Sequence, residues 1–168
     1  LFRSPSFPSS ARFTRLYFKD CYIDGTTDFI FGPSTALFEN CMIHSKRNSY
    51  VTAASTPKEA KYGYIFKHCK LTAEPGVDKV YLGRPWRPYA YTLFIECELG
   101  KHIVPAGWHN WGKQSNEETA RYMEYKNTGE GANVSERVAW SKQLTKKEAE
   151  AVTVDAIFGT QSNWNPID

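Results

Sequence analysis

The 168-residue chain has no apolar run near the roughly 20 residues a membrane-crossing helix needs, and no secretory leader pattern. A membrane is therefore not among the expected partners. It also lacks an excess of one charge: 21 Lys and Arg stand against 18 Asp and Glu, leaving +3. That balance permits a mild attraction to polyanions, but without a basic run it carries no nucleic-acid footprint, so no nucleic acid is expected either. Cys-x-x-Cys and His-x-x-x-His spacings are absent, and His44, His68, His102 and His109 are scattered. No structural zinc, other metal or cofactor is expected from this pattern. The first residues are Leu1-Phe2 rather than methionine, as expected of a fragment or processed product.

What the chain does have is a phrase written four times, an aromatic followed three residues later by cysteine: Phe18 and Cys21, Phe38 and Cys41, Phe66 and Cys69, Phe94 and Cys97. The cysteines step by 20, 28 and 28 residues, a range typical of architectures that stack one supersecondary unit per repeat. An apolar residue precedes each aromatic (Tyr17, Leu37, Ile65, Leu93) and another lies two past each cysteine (Ile23, Ile43, Leu71, Leu99). Residues two apart share a strand face, whereas residues three apart face opposite ways. Phe and Cys can both point inward only if a corner separates them. The residue before each cysteine is Asp20, Asn40, His68 or Glu96; Asn, Asp and His are the types most tolerant of positive φ. A repeat this short suits two or three short strands with bends, hence an all-β parallel β-helix, a solenoid. The alternative is an antiparallel sandwich whose strands share the phrase. The four cysteines could form two disulfides, but their equivalent places favour a ladder of buried free thiols.

The length suits one domain, taken as residues 1–168. A solenoid needs polar caps, and the first repeat arrives at Phe18 behind only a Ser/Pro-rich loop, so an upstream segment of the same protein is expected as partner. Downstream, residues 120–125 read as one more strand and 127–133 as a glycine-rich loop. Residues 144–152 read as a short helix opened by a capping box of Thr145 and Glu148, covering the end or flank of the stack. The charged run 142–150 reads as a solvated helix.

Two phrases stand out from the repeats. In Thr26-Thr27-Asp28-Phe29-Ile30-Phe31-Gly32 one carboxylate sits inside an otherwise apolar strand; it must face solvent or meet a cation. In Tyr81-Leu82-Gly83-Arg84-Pro85-Trp86 a strand ends in a stiff loop that presents a guanidinium beside an indole. Each alone is weak. Together they place Asp28 and Arg84 on one face of neighbouring or next-but-one coils, roughly 5 to 10 Å apart at strand spacing. Trp86, Trp108 and Trp111 lie in Gly/Pro-rich loops, where an indole can stack on a flat ligand face.

At these residues the chain resembles the pectin methylesterase (pectinesterase) family. The match rests on Gly25-Thr26-Thr27-Asp28-Phe29-Ile30-Phe31-Gly32, Leu82-Gly83-Arg84-Pro85-Trp86, Pro105-Ala106-Gly107-Trp108, Glu124-Tyr125-Lys126-Asn127-Thr128-Gly129 and Arg137-Val138-Ala139-Trp140, in family order. The resemblance implies a right-handed parallel β-helix and removal of C6 methyl esters from polygalacturonate, with methyl-esterified pectin as partner and a secreted or periplasmic location. It implies catalytic roles for Asp28, as nucleophile through an aspartyl acyl-enzyme, and for Arg84, its partner. Phe31 and Trp86, and more weakly Trp108, would contact substrate. The family also carries an acid/base aspartate in an upstream Gln-Asp-Thr motif and an earlier glutamine, both absent from these residues; Asp20, at a corner, and Asp24, before a glycine turn, do not replace them. The chain alone is accordingly expected to be inactive. The competing expectation is a non-catalytic β-helix that binds polygalacturonate or a protein through the same groove, with Pro33, residues 62–66 and residues 89–91 lining it.

Overall fold

In the computed structural model, residues 14–159 are described. The chain climbs in coils of three short strands. The first coil is β1 (Arg15–Lys19), β2 (Tyr22–Gly25) and β3 (Ile30–Gly32); the second is β4 (Thr35–Glu39), β5 (Met42–Ser45) and β6 (Tyr50–Ala54). The third is β7 (Tyr64–Lys67), β8 (Lys70–Ala73) and β9 (Tyr81–Gly83), and the fourth begins with β10 (Tyr91–Ile95) and β11 (Glu98–Leu99). A short helix α1 (Ser115–Thr119) leads into β12 (Arg121–Tyr125), followed by a 3-10 turn (Glu130–Ala132), β13 (Lys142–Gln143), α2 (Lys146–Glu150) and α3 (Val154–Phe158). Equivalent strands stack into sheets ordered β1-β4-β7-β10-β12-β13, β2-β5-β8-β11 and β3-β6-β9. Every ladder between these strands is parallel, which rules out the antiparallel sandwich and makes the fold a parallel β-helix.

The repeated phrase explains the stack. Phe18 registers with Phe38, Phe38 with Phe66 and Phe66 with Phe94. Their rings lie nearly parallel at 4.9, 4.5 and 4.4 Å inside the solenoid. Asp20, Asn40, His68 and Glu96 make the expected corners, with φ of 53°, 53°, 53° and 51°. Each corner turns the following cysteine inward. All four thiols are free, as the ladder reading expects. Cys41, Cys69 and Cys97 donate to the carbonyls of Phe18, Phe38 and Phe66, one coil back. Burial pushes the Cys41 thiol up to about 11, so it stays protonated at neutral pH.

The residue before each aromatic faces the other way. Leu37, Ile65, Leu93 and Ile95 form a second apolar cluster on the outside of the first sheet, where Ala149, Val152, Ile157 and Phe158 cover them. The C-terminal segment therefore lies along the flank. Its helix is shorter than expected, because Lys142 and Gln143 pair with β12 as a strand. The capping box of Thr145 and Glu148 is present and opens α2. Helices α1 and α3, each five residues, were not expected from the pattern.

A fifth corner, Lys126 at φ 46°, marks a further partial coil that the phrase does not announce. Here Glu124 registers with Phe94, and Asn127 takes the place after the corner, accepting from the Cys97 amide. Glu124 is 1% exposed and meets Arg137, 4% exposed, through 2.8 and 3.2 Å bonds. Arg137 also donates to the carbonyls of Pro105 and Gly131. A fully bonded ion pair thus ends the aromatic column, the arrangement in which a buried charge is tolerated.

Phe66 is fully buried between two stacked rings. Phe66→Ala should lower the unfolding free energy by about 3–5 kcal/mol. Denaturant unfolding checks this, and a loss near that of a surface substitution would contradict the interior placement of the column.

Candidate active site

Asp28 sits not within a strand, as the sequence suggested, but at a left-handed corner just before β3, with φ 50°. Its amide donates to the Tyr50 carbonyl at 2.9 Å, fixing the corner onto the coil above. Arg84 follows β9, two coils on from Asp28, and its amide continues the ladder by donating to the Thr52 carbonyl at 2.9 Å. Two strand spacings are about 9–10 Å, within reach of an extended arginine that leans back across the middle coil. Arg84 does this: Nε donates to Asp28 Oδ1 at 3.0 Å and Nη2 to Oδ2 at 2.7 Å. The side chains are 21% and 20% exposed, so the bidentate pair is partly withdrawn from water yet open on one side. Burial pulls the Arg84 pKa down, but the hydrogen bonds and charge of Asp28 outweigh it and the guanidinium is held above its usual value.

Close approach of β9 to β6 makes this reach possible. A Cβ at Gly83 would lie 2.1 Å from Thr52 Oγ1, so only glycine lets the strand end where Arg84 can start. Thr52 Oγ1 in turn donates to the Leu82 carbonyl at 3.0 Å. Tyr50 and Tyr81, in register on β6 and β9, stack at 5.2 Å beneath the pair. The Arg84 guanidinium lies 3.9 Å from the Tyr50 ring centre and 3.8 Å from that of Trp111, flat between the two.

Beside the pair lie two exposed aromatics, Phe31 at 64% and Trp86 at 43%, meeting edge to face at 6.0 Å. The loop carrying Trp86 is held from behind by Arg121, which donates to the carbonyls of Tyr89, Ala60 and Pro57. That one guanidinium ties the loops after β6 and β9 together. Arg87 stands over the Trp86 ring at 5.8 Å and Lys58 over Tyr89 at 5.3 Å, so the rim is aromatic and cationic. Among the described residues no group of three or more His, Cys, Asp or Glu could hold a metal ion.

The family model described as Pectinesterase matches residues 10–161. Pectinesterase 31 of Arabidopsis thaliana is 44% identical over 134 residues, covering 79% of this chain and 42% of that protein. The chain belongs to the pectinesterase family. Among solved structures, the pectin methylesterase from carrot superposes with a TM-score of 0.82 at 34% identity, covering 89% of this chain and 52% of that one. A pectin methylesterase solved in complex with a hexasaccharide gives a TM-score of 0.76 at 30% identity, over 91% of this chain and 53% of that one. The chain thus spans about half the length of the relatives it matches.

Of the residues singled out in the sequence, Asp28 and Arg84 are brought into direct contact, and Phe31 and Trp86 stand exposed beside them. Trp108 is a correction. It is 1% exposed, stacked on Tyr122 at 4.3 Å in the interior, and presents no face to a ligand. Tyr62, Tyr64, Phe66 and Tyr91, offered as groove residues in the binding alternative, are likewise buried. Trp111, read as a possible ligand platform, instead has a ring face on Arg84. Tyr50 was missed altogether. The available signal was register: with β3 aligned to β6, Tyr50 falls level with Asp28.

Gly83→Ala forces its new methyl into Thr52 and should destabilise the fold by about 1–3 kcal/mol, the usual cost of overpacking. Chemical denaturation of the two proteins side by side tests this; an unchanged midpoint would mean that β9 does not approach β6 this closely.

Proposed function

We propose that this chain carries the nucleophilic half of a carboxylic ester hydrolase that removes C6 methyl esters from polygalacturonate. The observation that carries the reading is the Asp28–Arg84 pair, bidentate and partly buried, at the foot of an exposed aromatic wall. Arg84 holds both Asp28 carboxylate oxygens and so fixes the plane of the carboxylate. A carboxylate has about four lone-pair sites, so two donors from Arg84 leave room for attack from the open side. One Asp28 oxygen adds to the ester carbonyl and the C–OCH3 bond breaks, leaving a mixed anhydride with Asp28. Methoxide leaves as methanol by taking a proton from a general acid. Water then adds to the anhydride, the same group now acting as base, and the sugar carboxylate and Asp28 are released. The sum is ester plus water to acid plus methanol.

Phe31 and Trp86 offer apolar faces to a sugar ring and its methyl group, and Arg87 at the Trp86 ring suits an anionic polysaccharide. No second carboxylate contacts Asp28 or Arg84 among the described residues. We assign the proton donor, with the oxyanion-stabilising amides, to the segment that family resemblance places upstream, so the 168-residue chain alone turns over little or no ester. The substrate class carries a location with it: the protein acts outside the cytoplasm, secreted or periplasmic.

In the full-length protein, Asp28→Asn should abolish methanol release from esterified pectin while binding stays within a few-fold, since the change removes the nucleophile and keeps its shape. Methanol assays paired with binding measurements decide it. Turnover retained by the variant would remove Asp28 from the role.

A further inference from the structure

A guanidinium can be pinned by its two flat faces and its edge, and at Arg84 all three are occupied. Tyr50 and Trp111 cover the faces at 3.9 and 3.8 Å, and Asp28 takes the edge. The two covers are held very differently. Tyr50 is in strand β6 and also accepts the Asp28 amide, so its place is set by the ladder. Trp111 lies in the loop between β11 and α1 with φ 62°, a conformation uncommon for a bulky aromatic and one that persists only when its surroundings impose it.

His109 imposes it. The Trp111 amide donates to His109 Nδ1 at 3.0 Å, and in the next step the Gly112 amide donates to Asn110 Oδ1 at 2.8 Å, two successive side-chain turns of the same kind. The His109 amide donates to the carbonyl of Gly83, the residue directly before Arg84, at 3.1 Å. Its ring meets Tyr50 at 5.4 Å and Tyr81 at 5.3 Å, edge to face in both cases. His109 thus braces one cover of the guanidinium and sets the backbone of the other.

We infer that His109 is a positioning residue of the Asp28–Arg84 site: its Nδ1, as an acceptor, seats Trp111 on Arg84 and so keeps the guanidinium edge aligned with Asp28. The inference rests on the ester-hydrolase reading above. Acceptance at Nδ1 requires a neutral imidazole with its proton on Nε2. The surroundings favour that form: burial first, and the Arg84 charge second, hold the His109 pKa below its ordinary value. The groups facing it are Arg84, the hydroxyl-bearing rings of Tyr50 and Tyr81 and, from α1 across the same recess, Glu117, whose carboxylate is engaged by Asn110 at 2.7 Å. Because the folded pKa is depressed, the contact is intact at neutral pH and is lost as pH falls through that lowered value. Protonation then turns Nδ1 into a donor facing the Trp111 amide.

Two variants of the full-length protein separate acceptor from ring. In His109→Asn the side-chain oxygen can occupy the Nδ1 position but does not titrate; in His109→Phe the ring stays and the acceptor goes. We expect the Asn variant to keep kcat within about twofold at neutral pH and to move the acidic fall of kcat to lower pH. The Phe variant should lose roughly tenfold in kcat with KM nearly unchanged, as a misaligned catalytic group does. A Phe variant as fast as wild type, or an Asn variant with an unmoved acid limb, overturns the inference. If the Phe variant does not fold, the pH profile of the Asn variant decides alone. Should wild type release methanol and Asp28→Asn not, while both His109 variants match wild type, this inference fails and the hydrolase reading stands. A full-length wild type without esterase activity removes both.

Discussion

In-register parallel stacking is the constraint on which this structure depends. Each coil meets the next through ladders that place like residues over like, and a slip of one residue would turn every inward side chain outward. Stacking four phenyl rings face to face at 4.9, 4.5 and 4.4 Å, three of them buried and Phe18 half-buried, holds the register. The left-handed corners at Asp20, Asn40, His68 and Glu96 let the chain bend without losing it. The same register sets the chemistry, because it fixes Asp28, Tyr50 and Tyr81 at one level and starts Arg84 one step beyond Gly83. The site is a consequence of the stack rather than an addition to it.

Where the stack is interrupted, polar groups replace apolar ones in complete sets. Glu124 stands where the fifth aromatic would be and is bonded by both Arg137 and Asn127. Arg137 also holds the Pro105 carbonyl, at the head of the loop that continues through Trp108 to His109 and Trp111. Arg121 plays the corresponding part behind the Trp86 loop. Two arginines away from the site therefore anchor the loops that carry Trp86, Trp108 and Trp111.

Much of this was legible in the sequence. The Phe-x-x-Cys phrase specified a parallel stack because its three-residue offset is incompatible with a straight strand, and the polar residue before each cysteine marked the corner. Asp28 and Arg84 were legible as a pair because an isolated carboxylate among apolar residues needs a cation. Their backbones lie two coils apart, within the expected spacing, and an arginine leaning back over the intervening coil closes the gap to hydrogen-bond length. What stayed hidden depended on loop conformation. Nothing local distinguishes buried Trp108 from Trp111 three residues on; a left-handed turn held by His109 separates them. The strand of the fifth coil was legible at residues 120–125, but its kinship to the repeats was not, because it keeps the corner and exchanges phenylalanine for glutamate and cysteine for asparagine. Helices α1 and α3, at five residues, are too short to show a period.

The central claim is that the open side of Asp28 faces a methyl ester while Arg84 holds its other side. The most direct measurement is a crystal structure of the full-length protein, carrying Asn at position 28, with a methyl-esterified oligogalacturonate bound. The account predicts an ester carbonyl carbon about 3–3.5 Å from the side-chain oxygen or nitrogen of residue 28, the separation of a near-attack geometry, with Phe31 and Trp86 against the sugar. A sugar chain bound elsewhere, with residue 28 out of reach of every ester, would contradict it.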